Sequence, residues 1–313
     1  MTEPKALPWY VDVPPIRRWL REMEASGAAA EAWTKVEAWR RMVDESGVVK
    51  TSKAGRIGTI TLSYPRKGNA LVPPMYRMLE RAIQEMAEDD DVWVVVITGE
   101  GKNFSSGGYV GSDGFYAGID AGKTQRAEPM RRTFAEMFLA AQRALFELEK
   151  PTIVYLNGPV MGEANDIALA ADIRTGHAGS DFWFSFGYSG NTAYTGCAWM
   201  LPRMIGVAKA KQLLLTAARL SGTEAYELGL LSYFYEKAEA LDKTMEVAER
   251  VVSLPPVTLR LIKKEVHRLL EIGSYVSSLD ITSMIEPIVQ FTHDHLDAEE
   301  AIIAKRSPTV LGY

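Results

Sequence analysis

The chain has 313 residues, about twice a usual single-domain length of roughly 150, and its 47% hydrophobic and 24% charged residues are globular values that exclude wholesale disorder, collagen and coiled coil. A net charge of −5 speaks against a nucleic-acid-binding face, the lone Cys197 excludes a disulfide framework or cysteine-rich zinc site, and four histidines argue against a structural metal. No signal-like segment opens the chain and no apolar run reaches about 18 residues, so a cytoplasmic protein without membrane spans is expected.

Residues 1–50 read as a helical extension. After Pro14-Pro15, Ile16, Trp19, Leu20 and Met23 share one helix face. Trp33, Val36, Trp39 and Met42 mark a second helix, which Gly47 stops. From Gly55 the pattern changes to a strand over Ile57–Leu62, then a loop at Pro65–Asn69. Pro73-Pro74 open a helix through Met78, Leu79, Ile83 and Met86. Val92–Gly99 is a continuous apolar run, as expected of a strand buried on both faces. A glycine-rich loop (105–118), a helix over 130–148, a strand at Pro151–Leu156 and a small-residue helix at Ala164–Ala171 follow. Strand, loop and helix thus repeat three times, the order of an α/β domain with mostly parallel strands. Beyond residue 205 the chain reads as nearly all helix, broken at Pro255-Pro256. The expected divisions are 1–50, 51–254 and 255–313.

Ligands of such sheets bind where strands end and helices begin. Two loops qualify: Phe104-Ser105-Ser106-Gly107-Gly108, and Asn157-Gly158-Pro159-Val160-Met161-Gly162-Glu163. Their glycines permit close backbone approach, and their free N–H groups could converge on one oxygen.

The order of segments resembles the crotonase (enoyl-CoA hydratase/isomerase) superfamily from about Gly55 to Pro308. The likeness is carried by Pro65–Leu71, Val94–Gly99, Phe104–Gly108, Lys150–Val154, Asn157-Gly158, Ala168–Arg174, Leu201–Gly206, Ala225–Leu230 and the stretch from Phe291 through Lys305-Arg306-Ser307-Pro308. Residues 1–50 fall outside it. The resemblance implies a spiral of ββα units, a C-terminal helical region that builds a trimer or a pair of trimers, and an acyl-CoA thioester ligand. It implies no cofactor beyond the coenzyme A of the substrate, and no nucleic-acid or membrane partner. It places the two oxyanion N–H donors at Gly108 and Glu163, each such donor being worth about 3 kcal/mol as charge grows on the thioester oxygen.

The departures are as informative. The family's first catalytic glutamate position holds Asp166, and the second holds Phe186. Glu163, Tyr109, Tyr188 and Tyr194 are the candidates for the missing group, Tyr109, Tyr188 and Tyr194 otherwise lining the substrate pocket with Phe186. A phenol can donate a proton or hydrogen bond, and two neighbouring carboxyls can act as acid and base. The dense aromatic stretch Phe182–Tyr188 reads as strand core or as a pocket for a bulky, cyclic or aromatic acyl group. By resemblance, Arg66, Lys67, Asn69, Ala70 and Ser106 hold coenzyme A, and Asp113, Tyr116 and Asp120 lie in the loop lining the acyl pocket. His177 reads as a surface residue, and Cys197 as a packed thiol with no activating neighbour in sequence. His293 and His295 read as no metal site. The function implied is an acyl-CoA hydratase, lyase or C–C hydrolase acting through an enolate. The alternatives are an enoyl-CoA isomerase, which needs one proton-moving group, and a non-catalytic acyl-CoA-binding subunit.

Overall fold

The computed structural model describes residues 7–109, 131–269 and 271–313; Asp113, Tyr116 and Asp120 lie outside them. The extension folds as α1 (Pro14–Ala25) and α2 (Ala29–Ser46), which bury Ile16, Trp19, Leu20 and Met23 on the first and Val36, Trp39 and Met42 on the second. The Trp19 and Trp39 rings meet at 5.5 Å between the helices. Gly47 ends α2 in the left-handed region (φ +69°), where a Cβ is costly.

A strand that the sequence pattern does not reveal comes next. β1 (Val48–Ala54) pairs antiparallel with β2 (Ile57–Ser63), so sheet structure begins before Gly55 and crosses residue 50. Five of its seven residues are exposed. It is an edge strand carrying Lys50 and Lys53, without the alternation that marks a half-buried strand.

The larger sheet runs β1-β2-β3-β4-β6-β9, with β3 at Val94–Gly99, β4 at Thr152–Tyr155, β6 at Ile173–Gly176 and β9 at Tyr233–Phe234. All its pairings after β1 are parallel. A smaller sheet, β5-β7-β8, is made of Val160–Met161, Phe182–Trp183 and Arg219–Leu220. β4 and β5, then β6 and β7, alternate between the two sheets, so each turn of the chain adds one strand to each. The aromatic stretch after Asp181 contributes only the two-residue β7, and β8 and β9 interrupt the helical C-terminal half.

β3 is buried on both faces, as its composition requires. Val95 and Ile97 enter the main core, while Val94 and Val96 join Ile57, Ile153, Val247 and Ala248 in a second cluster on the other face. Helix α3 (Pro73–Glu88) turns Met75, Tyr76, Leu79 and Ile83 inward. The helix expected over 130–148 contains a π-helical turn, Phe134–Phe138, before α4 (Ala140–Glu147). α5 (Ala164–Ala170), α6 (Cys197–Ile205), α7 (Val207–Leu215) and α8 (Gly222–Glu227) complete the body. α9 (Ala240–Val252) supplies Val247 and Ala248 to the second cluster, and α10 (Pro256–Leu269), α11 (Tyr275–Gln290) and α12 (His293–Ala304) form the C-terminal region.

His177 is not at the surface. It is 2% exposed and sits just after β6, with Nε2 facing the Asn157 carbonyl at 3.2 Å and Nδ1 accepting from the Gly179 N–H at 3.0 Å. That pattern assigns the neutral Nε2–H tautomer. Burial holds its pKa below the usual histidine value. The sequence reading misses this because both partners are backbone atoms.

Candidate active site

The two glycine-rich loops do come together. Asn69, in the left-handed region at φ +56°, anchors the first: its side-chain amide donates to the carbonyls of Glu100, Asn103 and Phe104 and accepts from the Tyr64 N–H. The Leu71 N–H donates to Gly107 O at 2.8 Å and the Tyr109 N–H to Leu71 O at 3.2 Å, fixing Gly108 between them. Ser105 then joins the second loop, where the Met161 N–H donates to Ser105 O at 3.0 Å. Gly107 has φ +79°, and a Cβ there would meet Met161 O at 2.5 Å, so close approach and backbone conformation both require glycine. Gly108 follows Gly107 directly and Glu163 stands two residues past Met161, each with a backbone N–H. Neither makes a hydrogen bond among the described residues.

Two carboxyls lie beside these donors. Glu163 ends the second loop, and its carboxyl folds back over Gly108, where a Cβ would meet Oε1 at 2.7 Å. Tyr76, on α3, donates to Oε1, and Tyr194 donates to Oε2 at 2.6 Å. Glu163 is 3% exposed, and burial pushes its pKa up, against the lowering effect of the Tyr194 and Tyr76 hydrogen bonds. Asp166 follows in the first turn of α5 and has no exposed surface. Its Oδ2 accepts from the Thr195 hydroxyl, while Oδ1 has no hydrogen-bond partner of good geometry among the described residues. The Cys197 thiol and N–H lie against the same carboxyl. Burial pushes the Asp166 pKa up to about 7, opposed by Thr195 and Cys197 and reinforced by the charge of Glu163.

Aromatic rings wall the pair. Phe138 meets Tyr76 edge-on at 5.0 Å, Phe134 meets Tyr194 edge-on at 5.2 Å, and Phe186 meets Tyr194 at 6.0 Å. Phe186, which the resemblance sets at the family's second carboxylate position, is a buried hydrocarbon ring packed on a phenol that holds Glu163.

The expected site residues divide clearly. Gly108, Glu163, Asp166, Phe186 and Tyr194 come together. Tyr188 does not: it is 79% exposed, with its ring against Trp183 at 5.8 Å, because the chain turns outward after Phe186. Tyr109 is half-buried with the Lys67 ammonium over its ring at 5.9 Å. Arg66 is exposed and pairs with Glu45 of α2. The Asn69 side chain is buried and fully committed to backbone, which removes it as a side-chain contact for coenzyme A. Ala70 is buried with its N–H on Lys67 O, and the Ser106 hydroxyl also donates to Lys67 O. Cys197 is buried as expected, yet it has a partner, Asp166, and burial raises its thiol pKa.

Tyr76, Thr195, Phe134 and Phe138 are the residues that sequence reasoning missed. Tyr76 carried one usable signal: it lies on the apolar face of α3, and a buried phenol needs a hydrogen-bond partner.

The profile of the enoyl-CoA hydratase/isomerase family matches residues 52–308. The chain is 29% identical to a short-chain-enoyl-CoA hydratase of Clostridium acetobutylicum, over 81% of this chain and 94% of that protein. It is 26% identical to a 1,2-epoxyphenylacetyl-CoA isomerase of Escherichia coli, over 81% of this chain and 94% of the relative. The crystal structure of an enoyl-CoA hydratase from Bacillus anthracis superposes with a TM-score of 0.76 at 25% identity, over 85% of this chain and 100% of that one. A mixed α/β body with alternating sheets, and paired backbone donors beside a buried carboxyl, accord with those matches: the chain belongs to the enoyl-CoA hydratase/isomerase family, the crotonase superfamily.

Proposed function

We propose that Asp166 carries a proton to or from a carbon conjugated with the thioester carbonyl of an acyl-CoA, while the Gly108 and Glu163 N–H groups hold the carbonyl oxygen as it becomes negative. The observation that carries this reading is the Asp166 carboxyl itself. It is withdrawn from water, its pKa is about 7, and it stands three residues from an unbonded N–H. A proton carrier works best when its pKa lies near the operating pH.

Glu163 supplies the second protonatable group, in place of the carboxyl that Phe186 lacks. Two carboxyls with separate partners suit a hydratase, lyase or C–C hydrolase, in which water or a leaving group must also be handled. The aromatic wall favours a bulky, cyclic or aromatic acyl group, in keeping with the 1,2-epoxyphenylacetyl thioester named for the Escherichia coli relative. Arg66 and Lys67 suit the nucleotide phosphates, and Ala70 and Ser106 lie on the same edge. No metal or additional cofactor is required. The C-terminal helices expose Tyr275, Val276, Met284, Phe291, Ile302 and Ile303, which suits burial against further copies in a homotrimer or homohexamer.

An isomerase is the second reading. Phe186 favours it, since moving a proton between two carbons needs only one carrier. The experiment uses a panel of linear, aryl and cyclic acyl-CoA thioesters in deuterated, ¹⁸O-labelled water, read by mass spectrometry. Deuterium with ¹⁸O supports the hydratase or hydrolase reading, deuterium without ¹⁸O in a cleaved product supports the lyase, and deuterium alone in a product of unchanged composition supports the isomerase. Binding without either label overturns both and leaves a non-catalytic acyl-CoA-binding subunit.

A further inference from the structure

The two oxygens of Asp166 are not equivalent. Oδ2 takes the Thr195 hydroxyl, whereas Oδ1 is buried without a hydrogen-bond partner of good geometry among the described residues, the Cys197 thiol and N–H lying against the carboxyl. The next residue, Gly196, has φ +133°, and a Cβ there would stand 3.1 Å from Oδ1. The loop thus places a donor on one oxygen and a missing side chain beside the other. Thr195 is itself 6% exposed, so its hydroxyl has little access to water as an alternative partner.

We propose that Thr195 is a positioning residue that fixes the Asp166 carboxyl so that Oδ1 is the proton-transferring oxygen, with Gly196 keeping that oxygen open. The inference rests on the reading of Asp166 as proton carrier. In the step, the substrate C–H bond breaks and its proton passes to Oδ1. The electron pair moves into the thioester and onto its carbonyl oxygen, beside the Gly108 and Glu163 N–H groups. Return of the proton to the same or a conjugated carbon reverses the flow, so no other reactant is needed.

The arrangement also sets proton affinity. A hydroxyl that donates to a carboxylate favours its charged form, so Thr195 holds down a pKa that burial raises. The titratable groups facing Asp166 among the described residues are Glu163, before α5, and the Cys197 thiol, in the first turn of α6; the first raises its pKa and the second lowers it.

The test compares wild type, Thr195→Val, Thr195→Ser and Asp166→Asn in the full chain. The first readout is the infrared C=O band of protonated Asp166, identified by its absence in Asp166→Asn and titrated against pH. Loss of one hydrogen bond to a charged group corresponds to roughly one pH unit or more. Thr195→Val is expected to move the midpoint up by about that much, and Thr195→Ser to restore it. The second readout is deuterium exchange at the α-carbon of phenylacetyl-CoA, with its pH profile. Its Asp166 limb is expected to follow the infrared midpoint, with kcat moving and KM unchanged. An infrared midpoint or exchange limb unmoved in Thr195→Val overturns the proposal. Full exchange by Asp166→Asn overturns the underlying reading instead, and is distinguished by the infrared shift surviving.

Discussion

The Glu163 carboxyl occupies the space that a side chain on Gly108 would need: a Cβ at Gly108 would meet Glu163 Oε1 at 2.7 Å. The first donor and the side chain of the second donor residue are thereby in direct steric contact. The obstruction is the far end of a flexible side chain, and Gly108 has no left-handed backbone requirement. Gly108→Ala is therefore expected to fold with a smaller loss of stability than a backbone clash causes but to displace Glu163 from Tyr76 and Tyr194, lowering α-carbon exchange by at least about 10-fold. Gly107→Ala is the contrast. Its Cβ would strike backbone, Met161 O at 2.5 Å, at φ +79°, so a drop in Tm is expected. Calorimetry with the exchange assay separates the two; equal effects on stability and rate would contradict this geometry.

Asp166→Asn has two expected consequences. On the proposed role of Asp166 as proton carrier, exchange should fall by about 10²-fold or more while thioester binding stays close to wild type. The second concerns stability. The folded pKa of about 7 lies above the unfolded value of 3.8, so the folded state binds the proton more tightly. The stabilising contribution of the neutral carboxyl is full below about pH 4 and is lost as pH rises to 7, at roughly 1.4 kcal/mol per pKa unit. Asparagine carries no such charge. The Tm of Asp166→Asn relative to wild type should therefore climb between pH 4 and 7 and level off above. A difference independent of pH would show that the carboxyl is not held neutral.

The elements were more legible in the sequence than the site. The helix faces of α1, α2 and α3 and the doubly buried β3 follow from spacing and composition, because burial imposes periodicity on neighbouring residues. The edge strand β1 escapes, since its outward residues bear no pattern. The positions of Asp166, Glu163 and Gly108 were reached by matching motifs. What surrounds the carboxyls was not: Tyr76 meets Glu163 across 87 residues and Thr195 meets Asp166 across 29. Such contacts depend on how helices and loops are stacked, which local spacing does not encode. The same reason sends Tyr188 outward although Phe186, two residues before it, packs at the site.

The two phenols on Glu163 are expected to act in the same direction. Each donates to one carboxyl oxygen and favours the charged form, so each lowers a pKa that burial raises. Tyr76→Phe and Tyr194→Phe should each move the Glu163 ionisation further upward. The pH profile of exchange reads this as a limb shifted to higher pH, distinct from the limb lost in Asp166→Asn. Profiles unchanged in both variants would remove Glu163 from the chemistry.

His177 gives a pH dependence of opposite sign. Its folded pKa is depressed below the ordinary histidine value of 6.5, so its contribution to stability is present above that pH and lost as pH falls through the folded value. Protonation places a hydrogen on Nδ1, against the donating Gly179 N–H. Wild type should lose more Tm than His177→Gln between pH 7.5 and 5. Parallel Tm curves for the two proteins would mean that the ring tolerates protonation in place.

The extension is expected to melt with the body. Trp39 is fully buried, meets the Trp19 ring, and belongs to the same continuous core as α3 and β3, although residues 1–51 lie outside the family match. Truncation of a buried tryptophan costs about 3–5 kcal/mol, so Trp39→Ala should lower the Tm of a single transition. Arg18 of α1 reaches Glu136 in the π-helical turn at 2.7 Å, but that partner is 43% exposed, and an ion pair of this kind contributes about 1 kcal/mol at most. Arg18→Ala should therefore shift the Tm far less than Trp39→Ala. Two separate calorimetric transitions in wild type would show instead that the helices fold on their own, and that the shared core does not couple them to the catalytic body.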